Sequence, residues 1–71
     1  MRYKPIFERK YSNFVITIIE LSRYYYLTIE HFSNNELLFD KQYFLTTNVE
    51  DMKADAYTII DEYYNKPIIW D

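Results

Sequence analysis

The nine residues Tyr24-Tyr25-Tyr26-Leu27-Thr28-Ile29-Glu30-His31-Phe32 constrain the fold of this chain more than any other stretch. They are aromatic and β-branched almost throughout, a composition that suits a pleated strand and suits a helix poorly. Turn-like residues flank them, Ser22-Arg23 before and Ser33-Asn34-Asn35 after, and strand-like runs lie beyond both turns. A strand with a neighbour on each side is a central strand, so the chain reads as a small antiparallel sheet built outward from here.

The preceding run, Asn13 to Leu21, alternates at period two, with Phe14, Ile16 and Ile18 on one side and Val15, Thr17, Ile19 and Leu21 on the other. A two-residue loop at Ser22-Arg23 sets Leu21 opposite Tyr24, Ile18 opposite Leu27, Thr17 opposite Thr28, Ile16 opposite Ile29 and Phe14 opposite His31. Apolar then meets apolar, with a Thr–Thr pair on the reverse face, and each such pair contributes about 0.2–1 kcal/mol. Beyond Phe32, a two-residue loop at Asn34-Asn35 gives poor patterning. A three-residue loop at Ser33-Asn34-Asn35 sets Ile29 against Phe39, Leu27 against Lys41 and Thr28 against Asp40. A slip of one residue flips every side chain, so the pattern selects the longer loop. Asn35 is expected in the left-handed conformation at its end. Lys41 falls on the inner face, where its stem can snorkel at the sheet edge.

Thr46 to Asp51 reads as a helix start, with Thr47 and Glu50 as a capping box and Asn48 with Asp51 as a second candidate. Val49, Met52, Ala56, Ile59, Ile60 and Tyr63 recur at helical spacing as one apolar stripe. Asn65-Lys66-Pro67 ends the helix. The expected fold is therefore α+β, a three-stranded antiparallel sheet with one C-terminal helix on one face (β-β-β-α). The stripe is expected to pack on Phe14, Ile16, Ile18, Leu27, Ile29, Leu37 and Phe39, with Tyr25 and Tyr43 beside them. The domain divides into an N-terminal arm or edge segment over 1–12, the sheet over 13–46, the helix over 47–66 and an apolar tail over 67–71. Pro5 and mixed charges argue against a helix in the arm, while the tail is expected to pack on the domain or on another chain.

Seventy-one residues make one domain, near the size at which a single core is marginal. Such a core contributes about 3–5 kcal/mol net, and oligomerisation or a partner often supplies the rest. Cysteine is absent, so neither a disulfide nor a thiolate metal site is available. No apolar run approaches the roughly 20 residues that span a bilayer, and the start lacks the apolar core of a signal peptide; a cytoplasmic product is expected. The net charge is −3, with cations concentrated in residues 1–12 and acids in residues 48–71. A nucleic-acid binder would show clustered Lys and Arg instead. Glycine is missing while Ile, Tyr, Phe, Asn and Lys abound, which points to an A+T-rich gene of the kind common in bacteriophages and mobile elements.

Catalytic chemistry finds no foothold. His31 stands alone without a second ligand at metal spacing, no nucleophile–base grouping can be assembled, and phosphate and dinucleotide loops need glycines. No enzyme activity, cofactor or metal is expected. Asp51, Asp55, Thr58 and Glu62 fall on one line of the helix, opposite the stripe: a solvated face, or a charged surface that imitates a nucleic-acid backbone or docks into a basic groove of a partner. The reverse face of the sheet carries more information. Ile19, Leu21, Tyr24, Tyr26 and Phe44 form an apolar, aromatic patch there, with Val15, Thr17, Thr28, Glu30, Leu38, Asp40 and Gln42 around it. Such patches seldom stand exposed on a monomer without a use, and tyrosine suits protein interfaces. The alternatives are that the N-terminal arm or the Ile68–Trp70 tail folds over the patch, or that single-stranded nucleic acid stacks on these rings.

At the level of architecture, residues 13–66 resemble small phage-encoded inhibitors such as the uracil-DNA glycosylase inhibitors and some anti-CRISPR proteins. The resemblance implies a non-enzymatic protein that blocks a larger host protein by covering its surface. A protein partner, acting in the host cytoplasm, and a homodimer are expected. Ile19, Leu21, Tyr24, Tyr26 and Phe44 would make the apolar contact and Asp51, Asp55 and Glu62 the acidic one.

Overall fold

The computed structural model describes residues 4–65, so the expected tail at 67–71 lies outside the described residues. Four strands, β1 (Pro5–Tyr11), β2 (Phe14–Glu20), β3 (Tyr24–His31) and β4 (Leu37–Phe44), precede one helix, α1 (Val49–Asn65). They form one antiparallel sheet in the order β1-β2-β3-β4. The fold is α+β as expected, with one strand more than the three the patterning gave. Pro5–Tyr11, within the expected arm, is a true edge strand: Phe7, Arg9 and Tyr11 lie opposite Ile18, Ile16 and Phe14. Its charged centre, Glu8-Arg9-Lys10, hid the alternation.

The hairpin of β2 and β3 has the expected register, from Phe14 opposite His31 to Ile18 opposite Leu27. The Leu21 amide donates to the Tyr24 carbonyl at 2.9 Å and closes the Ser22-Arg23 loop. Ile29, Thr28 and Leu27 meet Phe39, Asp40 and Lys41, also as expected. The turn leading into β4 differs. The His31 amide donates to the Glu36 carbonyl at 2.8 Å, so the loop runs over four residues, and an irregularity beyond Ile29 restores the register. That bulge corrects two placements. Leu37 lies opposite Glu30 and is 53% exposed, whereas Leu38 packs against the core. Asn35 takes the left-handed conformation (φ 61°), and Ser12 does the same (φ 59°) in the turn between β1 and β2.

The helix start is capped by Asn48 rather than by the Thr47 box. Its Oδ1 accepts the Glu50 amide at 2.8 Å, while its carbonyl accepts the Asp51 amide at 3.0 Å. Glu50 and Asp51 place negative charge where the dipole favours it. Met52, Ala56 and Ile60 of the stripe are buried against Phe14, Ile16, Ile18, Leu27 and Ile29. Each fully buried aliphatic or aromatic side chain contributes about 1.5–3 kcal/mol relative to exposure. Alternation in β2 therefore sends one set of side chains beneath the helix and leaves the other set on the far side of the sheet.

Candidate interaction face

Register fixes which side chains share that far side. Residues directly opposite in antiparallel strands point the same way. Ile19 lies opposite Tyr26, and Tyr24 opposite Phe44. Leu21 faces Tyr24 across the closed turn. The five apolar residues expected at this face are thus brought together at one end of it. Phe44 is 81% exposed, while Ile19, Leu21, Tyr24 and Tyr26 are half-buried. Among the described residues, the helix is the one element outside the sheet, and it packs on the opposite side.

Past the aromatic rows the face turns acidic. Glu8, Glu30 and Asp40 share it through their pairing with Thr17, Val15 and Thr28, and Lys10 is the one cation that strand pairing places on it among the described residues. The Tyr26 hydroxyl donates to Asp40 Oδ2 at 2.5 Å, a charge-assisted bond between diagonal neighbours on adjacent strands. This bond, followed by partial burial, holds the Tyr26 phenol above its ordinary pKa. Placing Asp40 opposite Thr28 already put it one diagonal step from Tyr26, so the sequence held the signal for this pair. The consequence is a phenol tethered by its hydroxyl on the open side of the sheet.

The acidic line on the helix is arranged differently from the expectation. Asp51, Asp55, Thr58 and Glu62 are all exposed, yet the line runs along the β4 flank of α1 rather than opposite its apolar stripe. Asp55, Thr58 and Ile59 line a groove with Phe39, Lys41 and Tyr43. Asp55 Oδ2 accepts the Tyr43 hydroxyl at 3.1 Å. On the other flank Asp61 Oδ1 accepts the Tyr11 hydroxyl at 2.9 Å. The structure so divides the helix carboxylates: Asp55 and Asp61 fasten the helix to the two outer strands, while Asp51 and Glu62 project from it.

The His31 ring lies 4.6 Å between centroids from Phe14, its partner in the sheet, tilted by 47° to it. Tyr63 closes on both rings. The imidazole is part of an aromatic end-cap on the core. Among the described residues no group of three or more metal-ligating side chains is assembled, and no helix is long and apolar enough to cross a membrane. Compared with known proteins, the chain matches no family model, no curated protein and no solved structure.

Proposed function

We propose that this chain is a non-enzymatic protein–protein interaction module that works by covering a surface of its partner, with the open sheet face as its contact. The observation that carries this reading is the row of Ile19, Tyr24, Tyr26 and Phe44 on a face with no described element over it. Rigid rings with bonded hydroxyls bury much area at little entropic cost. A sheet of this size has little core to spare, and association across the face adds apolar burial that the monomer lacks. A second copy of the chain is the first occupant, giving a homodimer. Asp51 and Glu62, which project from the helix, serve as an accessory acidic contact, with Asp55 held between them by Tyr43. An A+T-rich coding bias and the small α+β architecture motivate reading such a module as an inhibitor carried by a phage or mobile element and directed at a host protein in the cytoplasm.

Stacking of single-stranded nucleic acid on Tyr24, Tyr26 and Phe44 is the second reading. The face argues against it, because Glu8, Glu30 and Asp40 lie where a phosphate backbone would run. Sedimentation equilibrium of the wild type and of Tyr26→Asp separates the two. A wild-type dimer that Tyr26→Asp dissociates supports the interaction module, and a strictly monomeric wild type discards the homodimer. Fluorescence anisotropy with labelled oligonucleotides across a salt series tests the second reading, which requires salt-sensitive binding.

A further inference from the structure

The two outer strands, at opposite edges of the sheet, share a pattern. β1 contains Phe7-Glu8-Arg9-Lys10-Tyr11 and β4 contains Phe39-Asp40-Lys41-Gln42-Tyr43. In each, an aromatic ring, a cation and a tyrosine share the helix side, and an acid takes the reverse face. Arg9 lies opposite buried Ile16, and Lys41 opposite buried Leu27. These are positions where alternation calls for an apolar side chain. Each cation instead lines a groove beside the helix, Arg9 with Tyr11 and Tyr57, Lys41 with Tyr43 and Ile59.

Edge strands carry unpaired backbone groups that template the addition of another strand. Hydrogen bonding at the turns shows which groups those are. The amides of Leu21 and Phe32 belong to the junction of β2 and β3, and that of His31 to the junction of β3 and β4. Strict alternation then aims the amides of Asp40 and Gln42 outward from β4, and those of Glu8 and Lys10 outward from β1. Pro5 at the start of β1 and the irregularity at Ile6 already disfavour pairing on that edge. β4 has no proline, and its free stretch is the longer hazard.

We propose that Arg9 and Lys41, with the acids next to them, close each edge of the sheet to twofold pairing with the same edge of a second copy of this chain. A twofold axis normal to the sheet sets one residue of an edge strand opposite its own copy. The two such registers that overlap β4 most place either Asp40 against Asp40 or Lys41 against Lys41. On β1 the fullest overlap places Glu8 against Glu8. Stacking β4 on β1 of a further copy runs the two strands antiparallel, and the register that sets Arg9 against Lys41 also sets Lys10 against Asp40, so that junction carries one repulsion and one attraction. Like charges directly opposite destabilise a pair. Because acid and cation alternate, moving between the two best registers on β4 exchanges one repulsion for the other. The closed edges direct association to the sheet face, yet this proposal concerns the edges and stands whether or not that face binds.

Lys41→Val tests it, because valine on the twofold axis removes the repulsion from one register and leaves the other intact. In that register Asp40 pairs with Gln42 of the second copy. The variant is expected to show at least twice the wild-type mass by light scattering, in a concentration-dependent manner. The amides of Asp40 and Gln42, which point away from β3 and are expected to exchange fast in the wild type, are expected to slow by on the order of tenfold or more. Adding Gln42→Pro, which removes an outward donor, is expected to restore the wild-type mass. A folded Lys41→Val with wild-type mass and unchanged exchange at these amides overturns the proposal. So does a mass increase without protection of Asp40 and Gln42, since the association would then lie elsewhere. If Lys41→Val precipitates, Lys41→Thr, neutral and strand-forming, is read by the same two measurements.

Discussion

Tyr43 and Asp55 join the last strand to the second turn of the helix, hydroxyl to carboxylate, across 3.1 Å. Burial, then the bond to Asp55 and the carboxylate's charge, push the Tyr43 phenol up to about 12. In the unfolded chain a tyrosine ionises near pH 10. The folded state thus keeps a proton that the unfolded state releases, and the contribution to stability is whole below about pH 10 and lost as pH rises toward 12. Melting temperatures measured from pH 8 to 12 are expected to fall more steeply above pH 10 in the wild type than in Tyr43→Phe. Below pH 10 the variant is expected to be less stable by about 1 kcal/mol, the worth of one hydrogen bond.

Ser12 adopts φ 59° in a chain that has no glycine. A side chain in this region costs about 1–2 kcal/mol, part of which glycine returns as extra freedom in the unfolded state. Ser12→Gly is expected to stabilise the fold by about 0.5–1 kcal/mol, seen as a rise of a few degrees in thermal unfolding.

Neighbouring residues on β2 measure the two-sidedness of the sheet. Ile16 is fully buried beneath the helix, whereas Thr17 is half-buried on the open side. Ile16→Ala is expected to cost about 2–5 kcal/mol, comparable to the whole net stability of a domain this small, and so to leave the chain largely unfolded. Thr17→Ala is expected to cost under about 1 kcal/mol. Urea titrations followed by circular dichroism compare them.

Much of this fold is legible in the sequence because β2 and β3 alternate cleanly. Phe14, Ile16 and Ile18 can meet only Leu27, Ile29 and His31 if apolar is to face apolar, and the helix stripe supplies the matching layer. Legibility fails at the edges. An edge strand has one neighbour, so its pattern is weakly constrained, and Arg9 at an inward position breaks the alternation that would have revealed β1. The exchange of Leu37 and Leu38 has a similar cause. A four-residue turn followed by a bulge gives the same downstream register as a three-residue turn, and patterning from Phe39 onward does not distinguish them. At the candidate face, the five apolar residues follow from register alone. The fastening of Asp55 to Tyr43 depends on how the helix lies across the sheet, which apolar spacing does not specify.

Self-association through the sheet face opposite the helix is the heart of the account, and dilution monitored by amide chemical shifts examines it most directly. Between millimolar and low micromolar protein, shifts at Ile19, Tyr24, Tyr26 and Phe44 are expected to move together along one binding curve, while Met52, Ala56 and Ile60 beneath the helix stay fixed. Shifts independent of concentration at those four residues, or movement centred on the helix instead, would contradict it.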